Sequence, residues 1–196
     1  MTKRVWLAGL VAGVGMFIWG SIAHVVLPLG TVGISEISNE APVLAAMQAS
    51  MGTTSGLYFF PALGAPPNAT REQQSAAMQQ YDQKLATMPS GLLVYHPPGM
   101  KALTATQLVT EFLTELLESL IVVFLLAQTR LITFGGKVAF VTAAGIMASL
   151  ATNLPYWNWY GFPTNYTLVY MFTQVAGYFV VGVIAALMLK GRLAEA

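Results

Sequence analysis

The chain has 196 residues, of which 56% are hydrophobic and only 9% charged, with a formal net charge of +1. Soluble domains carry about 25% charged residues, so the composition points to the lipid bilayer as a partner, and the want of a basic patch argues against nucleic acid. Zero cysteines exclude disulfides, c-type haem attachment, cysteine-held Fe–S clusters and thiolate metal sites.

The first apolar run covers residues 5–27 and follows Lys3 and Arg4. Ser21-Ile22-Ala23 has the small-x-small pattern of a leader cleavage site, but the run continues past it to Leu27. It therefore reads as a first transmembrane helix rather than a leader. Gly9, Gly13, Phe17, Gly20 and His24 share one face at helical spacing, and Gly9-xxx-Gly13 permits close approach of a second helix.

Residues 28–104 contain no membrane-length apolar run and read as an extracytoplasmic cap of about 75 residues. Ser38-Asn39-Glu40 before Pro42 marks a helix start, with the helix reaching about Ser50. The runs GLYFFP from Gly56 and GLLVYH from Gly91 are short and β-prone, and can pair as a hairpin. Thr70 and Gln73 form a capping box opening a helix over residues 71–88. That helix brings Met78, Tyr81, Leu85 and Met88 to one side, the spacing of a packing face. Glu36, Glu40 and His96 are the cap residues able to lid a site or complete a ligand set; His96 precedes Pro97-Pro98-Gly99, a stiff turn.

Residues 106–128 form the run on which the rest depends. At 100° per residue Thr104, Gln107, Glu111, Glu115 and Glu118 fall in a stripe of about 80°, opposite a face of Leu, Val, Ile and Phe. Its thirteen Leu, Ile, Val and Phe residues favour insertion by roughly 4–8 kcal/mol. Three glutamates oppose it by up to about 10 kcal/mol. The terms nearly cancel, so the acidic stripe must be protonated, paired, metal-bound or wet, and covered by other helices.

The third run, residues 138–154, puts Thr142, Gly145, Ser149 and Asn153 on one face. The turn before it, residues 129–137, carries Arg130 and Lys137. An aromatic loop over residues 155–163 holds Tyr156, Trp157, Trp159 and Tyr160, which suit the bilayer interface or the docking of a quinone, a pigment or another subunit. The fourth run, residues 166–189, brings Tyr166, Tyr170, Thr173 and Gly177 to one face with Gln174 at its flank. The fold expected is thus an all-α integral membrane protein, a single membrane domain over residues 1–196 built as a four-transmembrane-helix bundle with the cap inserted between its first two helices. Lys3, Arg4, Arg130, Lys137, Lys190 and Arg192 gather on one side, which places both termini in the cytoplasm, in a bacterial inner membrane.

In that topology His24, Glu111, Glu115, Glu118, Asn153, Tyr170 and Gln174 share the outer half of the bundle and form an outward-facing polar cavity. The leading expectation is a non-catalytic membrane protein, a small accessory subunit of a larger assembly of membrane subunits, whose cavity is structural or binds a proton or cation. One rival is a metal-dependent enzyme or small-ligand binder in which His24, Glu111, Glu115 and Glu118 hold a divalent metal ion. The paired Glu-x-x-His motifs of di-iron bundles are missing, however. Another rival is a proton-coupled carrier, against which the stripe stops at Glu118 with no ionisable continuation. Nucleophilic catalysis has no GxSxG and no cysteine behind it.

Overall fold

The computed structural model describes residues 2–190; Arg192, used in the orientation argument, lies outside the described residues. Among the described residues there are six α-helices and two strands: α1 (Lys3–Ser21), α2 (Glu40–Met51), β1 (Gly56–Phe60), α3 (Arg71–Thr87), β2 (Gly91–Tyr95), α4 (Ala105–Ala127), α5 (Phe134–Tyr160) and α6 (Thr164–Met188). Glu36–Ala102 form one compact unit and the remaining described chain forms the other.

In the smaller unit β1 and β2 pair antiparallel, with Tyr58 opposite Leu93. The strand pair is tied to the end of α2 by Tyr95, whose hydroxyl donates to Gly52 O at 2.9 Å. The α3 helix opens with the capping box that Thr70 and Gln73 encode: Gln73 N donates to Thr70 Oγ1 and Thr70 N to Gln73 Oε1. Its expected packing face is found only at Tyr81, which is half-buried. Met78, Leu85 and Met88 are exposed, and the small Ala77 is the buried residue of the helix. A polar-rich helix has little apolar surface to bury, so spacing alone did not commit it to a core.

In the larger unit, among the described residues, three helices are long and apolar enough to cross a membrane: Lys3–Val26, Phe134–Tyr160 and Thr164–Met188. The 23-residue α4 packs with them but carries the three glutamates. α1 lies between α4 and α6, and α6 between α1 and α5, while α4 and α5 meet only sparingly. The close contacts explain that order. Gly9 and Gly13 of α1 sit on Leu120 and Leu116 of α4, so near that a Cβ on Gly13 would lie 2.9 Å from Leu116 Cα. Gly182 of α6 likewise abuts Val138 of α5, where a Cβ on Gly182 would lie 3.2 Å from Val138 Cα. Small residues let the backbones approach, and dispersion does the rest. Val122, Val123, Leu126, Val141, Val181 and Ala185 fill the core between them.

Three expectations are corrected. The first span does not stay α-helical to Leu27: after Ser21 the chain widens into a π turn, Ile22–Val26, with Leu27 N bonding Ile22 O at 2.9 Å. The aromatic loop is not a loop. α5 runs through Pro155 to Tyr160 and stops at Gly161, whose left-handed φ of 68° ends the helix. Proline removes one N–H from the ladder, yet Trp157 Nε1 donates to Thr164 Oγ1 at 3.1 Å and Tyr156 packs on Phe162 at 5.3 Å, so the segment is held from the α6 side. Lys137 is not a turn residue either. Thr133 caps α5 by accepting from Gly136 N at 3.1 Å, which brings Lys137 into the first turn of the helix. There its side chain is 1% exposed and Nζ donates to Leu189 O.

Candidate functional site

The register of α4 is fixed where it begins. Thr104 N donates to Gln107 Oε1 at 2.8 Å and Gln107 N to Thr104 Oγ1 at 3.2 Å, a full capping box that satisfies two of the helix's free end groups. From that start Glu111, Glu115 and Glu118 recur at four and three residues along one side. Two of them meet other helices directly. Glu115 lies opposite Gly20 of α1, where a Cβ would stand 3.1 Å from its Oε1. Glu118 Oε2 accepts from the hydroxyl of Tyr178 on α6 at 3.3 Å.

Between these helices lies a cavity of about 550 Å³, and the seven residues expected to share a polar site all line it: His24, Glu111, Glu115, Glu118, Asn153, Tyr170 and Gln174. Each arrives from a different local device. His24 sits in the π turn, its Nδ1 2.9 Å from Gly20 O; such wide turns recur at functional sites because they re-aim side chains. Asn153 of α5 is buried and donates Nδ2 to Ser149 O at 2.9 Å and to Gln174 Oε1 of α6 at 3.1 Å. Tyr170 meets the imidazole of His24 edge-on at 6.3 Å.

The polar groups do not simply satisfy one another. Asn153 pairs with Gln174 rather than with a glutamate, and His24 turns Nδ1 to its own helix. Glu115 is 9% exposed, and its Oε2 is buried without a hydrogen-bond partner. An unpaired buried carboxylate oxygen is costly. Among the described residues, no lysine or arginine lines the cavity.

Several wall residues were not among those expected. Met16, Phe17 and Trp19 supply an apolar and aromatic side from α1. Trp19 Nε1 is engaged by Thr173 O of α6 at 2.9 Å, so the indole offers the cavity carbon surface. Tyr178, which holds Glu118 without itself lining the cavity, was legible in principle, since it follows Tyr170 and Gln174 at four-residue steps on α6.

The metal reading of His24, Glu111, Glu115 and Glu118 finds no support: among the described residues, no three histidine, aspartate or glutamate side chains gather so as to hold a metal ion. Glutamates at helical steps are spread along an axis at 1.5 Å per residue, and here one of the three is occupied by Tyr178. Glu36, Glu40 and His96 fall in the smaller unit, where all three are exposed. Tyr156, Trp157, Trp159 and Tyr160 occupy the last turns of α5, with Trp159 77% exposed. Tyr156 continues through Phe162 and Tyr166 to Tyr170, neighbouring ring centroids 5.3, 5.6 and 5.1 Å apart, so the aromatic cluster runs up to the cavity wall. No protein-family model matches the chain, and no curated protein or solved structure does either.

Proposed function

We propose that the chain is a non-catalytic accessory component of a membrane assembly, in which four helices cross the bilayer and the acidic cavity holds a cation. The observation that carries the cation is Glu115: a buried carboxylate with an unpartnered oxygen, between two further glutamates, in a cavity that among the described residues no lysine or arginine lines. Buried carboxylates are kept where a counter-charge or donor completes them, and here the described residues supply none to Glu115 Oε2.

Support for α4 as the fourth span comes from length and company. Its 23 residues reach about 35 Å, enough for a hydrocarbon core of about 30 Å. It lies along α1 from Gly9 to Gly20, so it shares the depth of an apolar helix. The orientation is supported by where cations collect. Arg4 Nε donates to Met188 O at 2.8 Å and Lys137 to Leu189 O, at the α1 start and the α6 end. The positive-inside rule assigns that end to the cytoplasm, and the cavity then opens on the opposite side.

The test is calorimetric titration of the purified chain in nanodiscs with sodium, potassium, calcium, manganese and an organic ammonium ion, for wild type and Glu115→Gln. At least one cation should bind saturably to wild type and lose that binding in the variant. No binding of any cation would overturn the proposal. For the accessory role, co-purification with other chains in mild detergent is expected; a stable lone species on native gels counts against it.

A further inference from the structure

The geometry points to an amphiphilic organic ammonium ion, a positively charged amine on an apolar body, as the ligand of this cavity; the inference rests on the cation reading above and narrows it. Size is the first reason. A cavity of about 550 Å³ falls in the range of small-molecule sites, roughly 300–1,000 Å³, and greatly exceeds what a proton or a bare metal ion occupies. A metal ion would also need several ligand atoms converging, and among the described residues no such group of His, Asp or Glu side chains exists.

The second reason is the division of the lining. The α4 side presents Glu111, Glu115 and Glu118; the α1 side presents Met16, Phe17 and Trp19. Trp19 has already spent its N–H on Thr173 O, which leaves ring surface, and aromatic faces attract alkylammonium groups as well as apolar chains. Glu115 Oε2 provides the missing acceptor: buried, unpartnered and lining the cavity. An ammonium N–H donated to it would form a charge-assisted hydrogen bond. The apolar body would lie against the α1 wall, replacing surface that water covers poorly. Neither half of such a ligand would be well served by a purely polar or a purely apolar pocket.

The experiment compares 3-phenylpropylammonium with 3-phenylpropan-1-ol, equal in carbon skeleton but not in charge, on the wild-type chain in nanodiscs, with sodium, potassium, calcium and manganese as further arms. The ammonium ion is expected to bind saturably, at least about tenfold tighter than the alcohol, and about thirtyfold or more weaker in Glu115→Gln. Inorganic cations binding in a Glu115-dependent way while the ammonium ion does not would overturn this inference and leave the cation reading standing. Binding by neither class would remove both. Equal affinity for the ammonium ion and the alcohol would show a merely apolar hole and remove this inference, while the inorganic arms alone decide the cation reading. The ammonium-against-alcohol comparison needs no variant, so a misfolded Glu115→Gln would not rescue the inference.

Discussion

Tyr178 on α6 donates its hydroxyl to Glu118 Oε2 on α4 at 3.3 Å, joining two helices that otherwise meet sparingly. The ring is buried, 8% exposed, and Gly145 of α5 makes room for it, since a Cβ there would collide with the tyrosine. Tyr178→Phe keeps that packing and deletes the hydrogen bond alone. Interhelical hydrogen bonds in membranes average about 0.6 kcal/mol and reach about 1.7, so the variant should lose that much in reversible unfolding from mixed micelles. An unchanged unfolding curve would mean that the bond ties nothing.

The α1–α4 seam depends on the absence of side chains at Gly9 and Gly13. A Cβ at Gly13 would come within 2.9 Å of Leu116 Cα, a backbone atom that cannot swing away. Gly13→Ala should therefore cost about 1–3 kcal/mol, the usual penalty of overpacking. Gly135→Ala is the control, because a Cβ there meets nothing within 4 Å; within a helix it should be neutral or stabilising by up to about 1 kcal/mol. Equal melting temperatures for the two variants would refute the close seam.

How much of this was legible in the residues follows from which forces are local. The capping box at Thr70, the glycine seam at Gly9 and Gly13, and the polar stripe of Glu111, Glu115 and Glu118 are patterns within a few turns, and the structure contains each. The pairing of the two β-prone runs was likewise readable, though α3 stands between them in the chain. What failed was decided elsewhere in the chain. Pro155 signals a helix end, but contacts from Phe162 and Thr164 carry α5 on to Tyr160. Lys137 read as a turn residue, but the cap at Thr133 draws it into α5, where the end of α6 offers it the carbonyl of Leu189. The tie from Glu118 goes to Tyr178, sixty residues away in sequence, a pairing that no spacing rule on α4 could supply.

The proposed orientation can be checked directly, because the chain has no native cysteine. His96→Cys, exposed in the smaller unit, and Arg130→Cys, exposed after α4, report opposite sides of the bilayer if α4 crosses it. A membrane-impermeant maleimide added to intact cells should label the first and spare the second until the membrane is opened. Labelling of both before permeabilisation would remove α4 as a span, and the reverse pattern would invert the positive-inside assignment.

Glu115 and Glu118 offer the sharpest contrast, since they are neighbours on one helix with opposite hydrogen-bond status. Glu118 is the acceptor of Tyr178, so Glu118→Met leaves a buried phenol without its partner and should destabilise the chain by about 1–3 kcal/mol. Glu115 has a buried oxygen that nothing among the described residues satisfies, so Glu115→Met, similar in volume, removes a penalty of about the same size. In the absence of ligand it should raise the melting temperature while ending cation binding, the pattern of a residue kept for function at the expense of stability. Purified variants compared by thermal unfolding in one detergent decide the matter. A fall for Glu115→Met as large as that for Glu118→Met would mean that the carboxylate has a structural partner, and a binding cavity would no longer be needed to account for it.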